Sequence, residues 1–334
     1  TFNVGFHNKE HDESDLAQKF CEDLDYSYNK VYLENNELAG YVEDASYFND
    51  EPLVHLNDPH ILAISKLAKS KVSVLLSGEG ADEIMGGYVR YKTFQHLHLL
   101  PFINAGLKMF TKVIANPRLK KLESYLSIDN KDMMILMNGS NIFTNEWIND
   151  YKLYGINFFP QYRLEILAEA KSIYPGNPLR QMLYLDQHTY LQSLNDRNDR
   201  ATMGASIECR EPFMDYRLIE GIGTLKDSFL FKGKKNKFLL SNTIAKTLPG
   251  YIQNLRKIGF SVPWNEYILK NEYFRTALEN LEKCDLFKQG IFGKLNIPQL
   301  KKEFISRGNH KPLIIQLVFM YVWYTNYFKR IEDA

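Results

Sequence analysis

One segment constrains this chain more than any other. The apolar run Val72 to Leu76 leads directly into Ser77-Gly78-Glu79-Gly80-Ala81-Asp82-Glu83, followed by Gly86-Gly87-Tyr88. A short, continuous apolar run bounded by glycine reads as a strand buried on both faces of a parallel sheet. Glycines directly after such a strand let backbone N–H groups turn inward as a nest for phosphate oxygens, and the next helix N-terminus adds partial positive charge. The loop is not the dinucleotide fingerprint, because the third glycine of GxGxxG is absent. Nor is it a Walker A loop, because no GK[ST] follows. Glu79, Asp82 and Glu83 repel a polyphosphate unless a divalent cation lies between them, which points to Mg2+. A second reading stays open on the loop alone: a tight strand-to-helix turn whose acids complement the helix dipole.

The flanking sequence supplies the rest of an α/β unit. Thr1 to Phe6 reads as a strand, and Asp12 to Asp15 offer N-cap and first-turn acids for a helix through Leu24. Tyr26 to Leu33 is a second strand-like run, and His60 to Lys69 carries Ile61, Ile64 and Leu67 at helical spacing. Strand, helix, strand, helix, strand over residues 1–90 implies a doubly wound α/β unit with ligands at the carboxyl ends of its strands. Beyond Tyr91 the pattern is helical, clearest over Leu97 to Ile114, Asn130 to Met137, Leu179 to Leu194, Lys235 to Leu248 and Pro312 to Tyr327. Residues 91–334 are therefore expected to form a mostly helical body, with loops around Asn254 to Ser261. A length of 334 residues is a prior for about two domains.

Charge and cysteine usage exclude several function classes. Forty-one Lys and Arg against 40 Asp and Glu leave a net charge of +1, which provides no global field for nucleic acid or an acidic membrane. Any phosphate must be held locally. Cys21, Cys209 and Cys284 form no CxxC pair, so a reducing cytoplasm is the simplest setting. The most apolar stretch, Pro312 to Tyr324, is too short to span a bilayer and contains Gln316, so it reads as a buried terminal helix. The opening residues lack a secretory-signal pattern and an initiator Met, which suggests a fragment of a longer protein.

VLLSGEGADEIMGGY resembles the pyrophosphate-binding loop of the asparagine synthetase family, whose members are AMP-forming amide ligases. Further similarities follow in family order: TFNVGF and HDESDLA near the start, DEP at Asp50 to Pro52, DRATMGASIECREPFMD from Asp199 to Asp215, Lys237 within GKKNKFLL, and KIGFSVP from Lys257 to Pro263. The resemblance implies an α/β fold in which residues 1–90 are part of a parallel-sheet, adenine-nucleotide α-hydrolase-like (ATP pyrophosphatase) unit. Residues 91–334 would be the helical part of the same synthetase domain.

The implied reaction activates the aspartate side-chain carboxylate with ATP as an acyl-adenylate, which ammonia derived from glutamine converts to asparagine. By the match, Ser77, Gly78 and Gly80 hold the pyrophosphate, Asp82 binds Mg2+, and Val4 faces the adenine. Lys237 neutralises the phosphates or the adenylate, and Glu79 organises the intermediate or the incoming amine. The family's first phosphate loop and its N-terminal glutaminase domain would lie before Thr1, so residues 1–334 are expected to be inactive alone. A homodimer is compatible with the family; no nucleic acid or membrane partner is expected.

Other assignments stay open at this stage. Relatives of the same fold amidate surface sugars, close β-lactams or cyclise peptides, and Ser241 and Glu211 depart from the family's commoner residues. A non-catalytic paralogue is a further alternative, against which the retained Glu79, Asp82 and Lys237 argue. The charged run from Asp199 to Asp215 has two readings: ion pairs that pin a helix-loop-helix, or an Arg200 or Arg210 that holds a substrate carboxylate.

Overall fold

The computed structural model describes residues 1–95, 131–137, 160–233, 235–253, 255, 260, 262–288, 292 and 295–332. The helix expected over Leu97 to Ile114 and most of the loop from Asn254 to Ser261 lie outside them. In chain order the elements are β1 (Phe2–Gly5), α1 (Ser14–Asp23), β2 (Asn29–Tyr32), α2 (Asn35–Asn49), α3 (Asp58–Lys69), β3 (Val74–Leu76), α4 (Ala81–Met85) and α5 (Tyr91–Gln95). There follow α6 (Lys131–Met137), α7 (Gln161–Ile173), α8 (Pro178–His188), α9 (Tyr190–Gly204), β4 (Glu208–Arg210), α10 (Tyr216–Gly223), α11 (Phe238–Asn242) and α12 (Gly250–Gln253). The last four are α13 (Trp264–Lys270), α14 (Glu272–Asn280), α15 (Ile297–Arg307) and α16 (Lys311–Glu332).

Local chemistry accounts for most of these bounds. Helix α2, absent from the periodicity reading, is opened by a capping box in which Glu34 and Glu37 exchange side-chain and backbone bonds. The stretch expected as one helix from Leu179 to Leu194 is two, α8 and α9. At the break the Thr189 hydroxyl donates to the Leu185 carbonyl at 2.7 Å, back-bonding of a kind that bends helices. The stretch from Lys235 to Leu248 shortens to α11 and a 3-10 turn, Ile244–Thr247.

The described residues are mostly helical with two two-stranded parallel ladders, compatible with an α/β fold. Strands β1 and β2 pair in parallel with Val4 opposite Val31, and β3 and β4 pair in parallel with Leu75 opposite Cys209. The ladder continues one step beyond β3, where Ser77 N donates to Arg210 O at 2.9 Å. Strand β4 lies inside the charged run read as helix-loop-helix, which is instead helix, strand and a 3-10 turn at Pro212–Met214. The expectation that Val72 to Leu76 is buried on both faces is also corrected: Val74 is 36 % and Leu76 73 % exposed. Among the described strands β3 has one partner, β4, and a two-stranded ladder leaves its second edge and part of its faces uncovered.

Two compact units emerge, each discontinuous in sequence, where the sequence reading places a boundary near residue 90. The first comprises Thr1–Ser77, Leu194–Arg210 and Pro249–Ala334; the second comprises Gly78–Ser193 and Glu211–Leu248. In the first, Trp264 is buried and packs edge-on against Phe274 and Phe319 at centroid distances of 5.5 and 4.7 Å. Helix α16 buries Ile314, Leu317, Val318 and Val322, so the apolar terminal stretch is a core helix. In the second, Ile84, Tyr91, Met134, Met182, Leu230 and Phe231 belong to one apolar cluster. Among the described residues no helix is long and apolar enough to cross a membrane.

Candidate functional site

The chain leaves the first unit at Ser77, directly after β3, and returns to the second at Glu211, directly after β4. Ser77 and Glu211 each directly follow a strand of the parallel β3–β4 pair. Of the candidate residues, Val4 and Ser77 belong to the first unit. Gly78, Glu79, Gly80, Asp82 and Lys237 belong to the second.

In the first unit, Val4 is 7 % exposed on β1. The Ser77 hydroxyl accepts from Asn198 Nδ2 at 3.5 Å. Asn198 is oriented in turn by its neighbour, since Arg197 Nε and Nη2 donate to Asn198 Oδ1 at 3.1 and 2.9 Å. The same guanidinium reaches Asn57 Oδ1 at 3.2 Å. A buried arginine with several oxygen partners is a rigid strut. Neither of these α9 residues is singled out by the sequence; the only signal is an Arg-Asn pair immediately before the conspicuous Asp199.

In the second unit, Gly78 is exposed, Glu79 half-buried and Gly80 buried. Gly80 has φ +87°, and an added Cβ would lie 2.8 Å from Met214 Cγ, so both backbone and space call for glycine. Helix α4 is only five residues long and ends at Gly86, where φ is +69°. The expected helix-dipole contribution to phosphate binding is therefore weak, because so few peptide dipoles align. Glu83, grouped with the loop acids by sequence, is buried and accepts from the Tyr88 hydroxyl at 2.6 Å. Burial pushes its carboxyl above the ordinary range. Glu83 thus belongs to the packing of α4.

Asp82 and Lys237 are brought together: Lys237 Nζ lies 3.0 Å from Asp82 Oδ1, with each side chain about a quarter exposed at 25 % and 23 %. Lys237 caps α11 in the left-handed conformation, at φ 48° and ψ 43°. Among the described residues Asp25, Asp50, Ser206 and His310 share this left-handed φ, so the conformation alone does not single out Lys237. Asn236, the preceding residue, donates from Nδ2 to the Gly87 carbonyl at 2.8 Å, while its Oδ1 is buried without a hydrogen-bond partner.

Among the described residues no group of three or more His, Cys, Asp or Glu side chains could hold a metal ion. Mg2+ does not require such a cage, because it is commonly bound through one or two carboxylates, substrate phosphates and water. The partly exposed Asp82 carboxylate, a hard oxygen donor, fits that mode.

In the charged run, Arg200 donates to the Asn49 carbonyl and Arg210 Nε to Glu208 Oε1 at 2.8 Å. The Arg200 bond to the α2 backbone is of the kind the pinning reading calls for, whereas Arg210–Glu208 is an exposed pair within β4. Of KIGFSVP, Lys257, Ile258, Gly259 and Ser261 lie outside the described residues. Its Phe260 meets Phe6, of the opening TFNVGF, and His60 at 6.1 Å each within the first unit.

The family profile "Asparagine synthase" matches residues 1–324. Asparagine synthetase [glutamine-hydrolyzing] 1 of Bacillus subtilis is 29 % identical over 286 residues, covering 81 % of this chain and 43 % of the relative. Asparagine synthetase [glutamine-hydrolyzing] 3 of the same organism is 26 % identical over 250 residues, covering 74 % and 36 %. The chain thus spans less than half the length of these curated relatives. With the profile running over nearly its whole length, the chain belongs to the asparagine synthase family.

Proposed function

We propose that the protein containing this chain is an ATP-dependent, amide-forming ligase, with the aspartate side chain as the carboxylate that is amidated. The observation that carries the reading is the pairing of Asp82 with Lys237 directly behind a glycine loop at the carboxyl end of a parallel strand. In the first step a carboxylate oxygen attacks the α-phosphorus of ATP, the bond to the β-phosphate oxygen breaks, and pyrophosphate leaves. In the second, ammonia attacks the acyl carbon, the acyl–phosphate bond breaks, AMP leaves and one proton is lost. Charge gathers on phosphoryl oxygens in the first step, where fixed N–H groups and cations are most effective.

Ser77, Gly78 and Gly80 are assigned to the pyrophosphate, with Asn198 Nδ2 in long contact with the Ser77 hydroxyl at 3.5 Å. Asp82 is assigned to Mg2+, which when bound supplies charge neutralisation on the phosphate oxygens. Lys237 has a flexible stem and a point charge, which suits it to follow the α-phosphate through the reaction. Glu79 accepts a proton from, or orients, the incoming amine. Val4 offers an apolar face to the adenine. Glutamine is the proposed source of ammonia, through a glutaminase domain of the kind implied by the names of the relatives.

The test is pyrophosphate release by the full-length protein. Release is expected only when aspartate and Mg-ATP are supplied together. Release that ignores aspartate and follows another carboxylate would move the assignment to a different acceptor.

A further inference from the structure

Gly87 presents a question that backbone geometry does not answer. Its neighbour Gly86 sits at φ +69°, a conformation that itself calls for glycine, whereas Gly87 is not among the positive-φ residues. The requirement at Gly87 is spatial: an added Cβ would lie 1.6 Å from Asp82 Oδ1 and 2.4 Å from Lys237 Cε. Its other backbone groups are engaged by the same two segments. Gly87 N donates to the Asp82 carbonyl at 2.8 Å, and the Gly87 carbonyl accepts from Asn236 Nδ2 at 2.8 Å.

We propose that Gly87 and Asn236 are positioning residues for the Asp82–Lys237 pair, with the bare Cα of Gly87 as the surface on which the two side chains meet. The role rests on the assignment of that pair to phosphate binding. Asn236 ties the segment carrying Lys237 to the turn that follows α4, the helix carrying Asp82, and the absent side chain at 87 leaves room for the carboxylate and the ammonium stem. The atoms that a Cβ would strike are ends of flexible side chains. Alanine at 87 therefore leaves the backbone in place and drives the pair apart. A glycine needed only for packing behaves in the opposite way, losing stability and keeping the pair.

The experiment combines a crystal structure, a melting temperature and calorimetry with magnesium pyrophosphate on the full-length protein, for Gly87→Ala, Asn236→Ala, Lys237→Ala and the double variant Gly87→Ala/Lys237→Ala. In Gly87→Ala the Nζ to Oδ1 distance is expected to open from 3.0 Å to beyond the 4 Å or so of an ion pair, with the melting temperature within about 2 °C of wild type. Pyrophosphate affinity should fall about tenfold in Gly87→Ala, severalfold in Asn236→Ala, and no further in the double variant than in Lys237→Ala. An intact pair in Gly87→Ala, or additive losses in the double variant, overturns the positioning role even if Lys237→Ala binds poorly. A separated pair with unchanged affinity in all four variants leaves the seating in place and removes the phosphate reading.

Discussion

Two polar regions of this molecule differ in how their groups are satisfied. In the second unit, Asp82, Lys237, Asn236 and Gly87 are bound to one another, with the Asp82 and Lys237 side chains about a quarter exposed above a buried Gly87. In the first unit, Asp58 and His60 of α3 are 2 % and 1 % exposed, yet Asp58 Oδ1 and both ring nitrogens of His60 have no hydrogen-bond partner. Burial holds the Asp58 carboxyl up at about 7, with Arg197 opposing that rise and Glu51 adding to it. Burial alone pulls His60 down to about 3, among the rings of Phe6, Phe260 and Trp264. The first region keeps charges where a ligand can reach them. The second buries ionisable groups inside a core, where an unpaired charge is costly and burial shifts each toward its neutral form. The difference teaches that burial and partner count separate chemistry from packing better than residue type does.

The largest expected effect that would sharpen this contrast is on turnover. Lys237→Ala and Glu79→Ala should each lower pyrophosphate release by about 10²–10³-fold, with little change in melting temperature. A loss of stability of the same order as the loss of rate would move both residues into the packing class. In the core of the first unit the expectation is reversed. Trp264→Ala, at a side chain 1 % exposed whose Nε1 donates to the Leu56 carbonyl at 2.6 Å, should cost about 3–5 kcal/mol in urea unfolding.

A subtler separation comes from pH. His60 titrates at about 3 in the fold against 6.5 free, so its contribution to stability is complete above 6.5 and is lost as pH falls toward 3. Asp58 titrates at about 7 in the fold against 3.8 free, so its contribution is complete below 3.8 and is lost as pH rises toward 7. The two slopes oppose each other between roughly pH 4 and 6.5, each at most about 1.4 kcal/mol per pH unit. Relative to wild type, His60→Leu should gain stability on acidification and Asp58→Asn should gain it as pH rises. Parallel curves for wild type and either variant would show that the substituted group titrates normally. The smallest effect belongs to an exposed pair such as Lys66 and Asp44, 2.8 Å apart and about 40 % exposed at the lysine. Breaking it with Lys66→Ala should cost less than about 1 kcal/mol.

Much of the first region is legible in the sequence because its signals are local. The glycines after Leu76, the acids at Glu79 and Asp82, and the alternation of strand and helix before them depend on backbone sterics and side-chain periodicity within a few residues. The parallel pairing of β1 with β2, across α1, follows from the same alternation. Strand β4 is not legible, because three residues of mixed character carry almost no periodicity and their strand state depends on β3 as a partner. Glu83 misleads for a related reason: one position along α4 from Asp82, a carboxylate of the same loop turns toward Tyr88 and the core.

The sequence by itself determined the loop chemistry, the apolar faces of α3 and α16, and membership of the family, since each is written in residue type at short spacing. Only the tertiary structure decided that Lys237 meets Asp82, that Asn198 lies beside Ser77, and that Gly87 is glycine for want of room beside that pair. These contacts join segments far apart in the chain. Which of many acids and lysines meet is decided by how the intervening helices pack, and no local pattern records it.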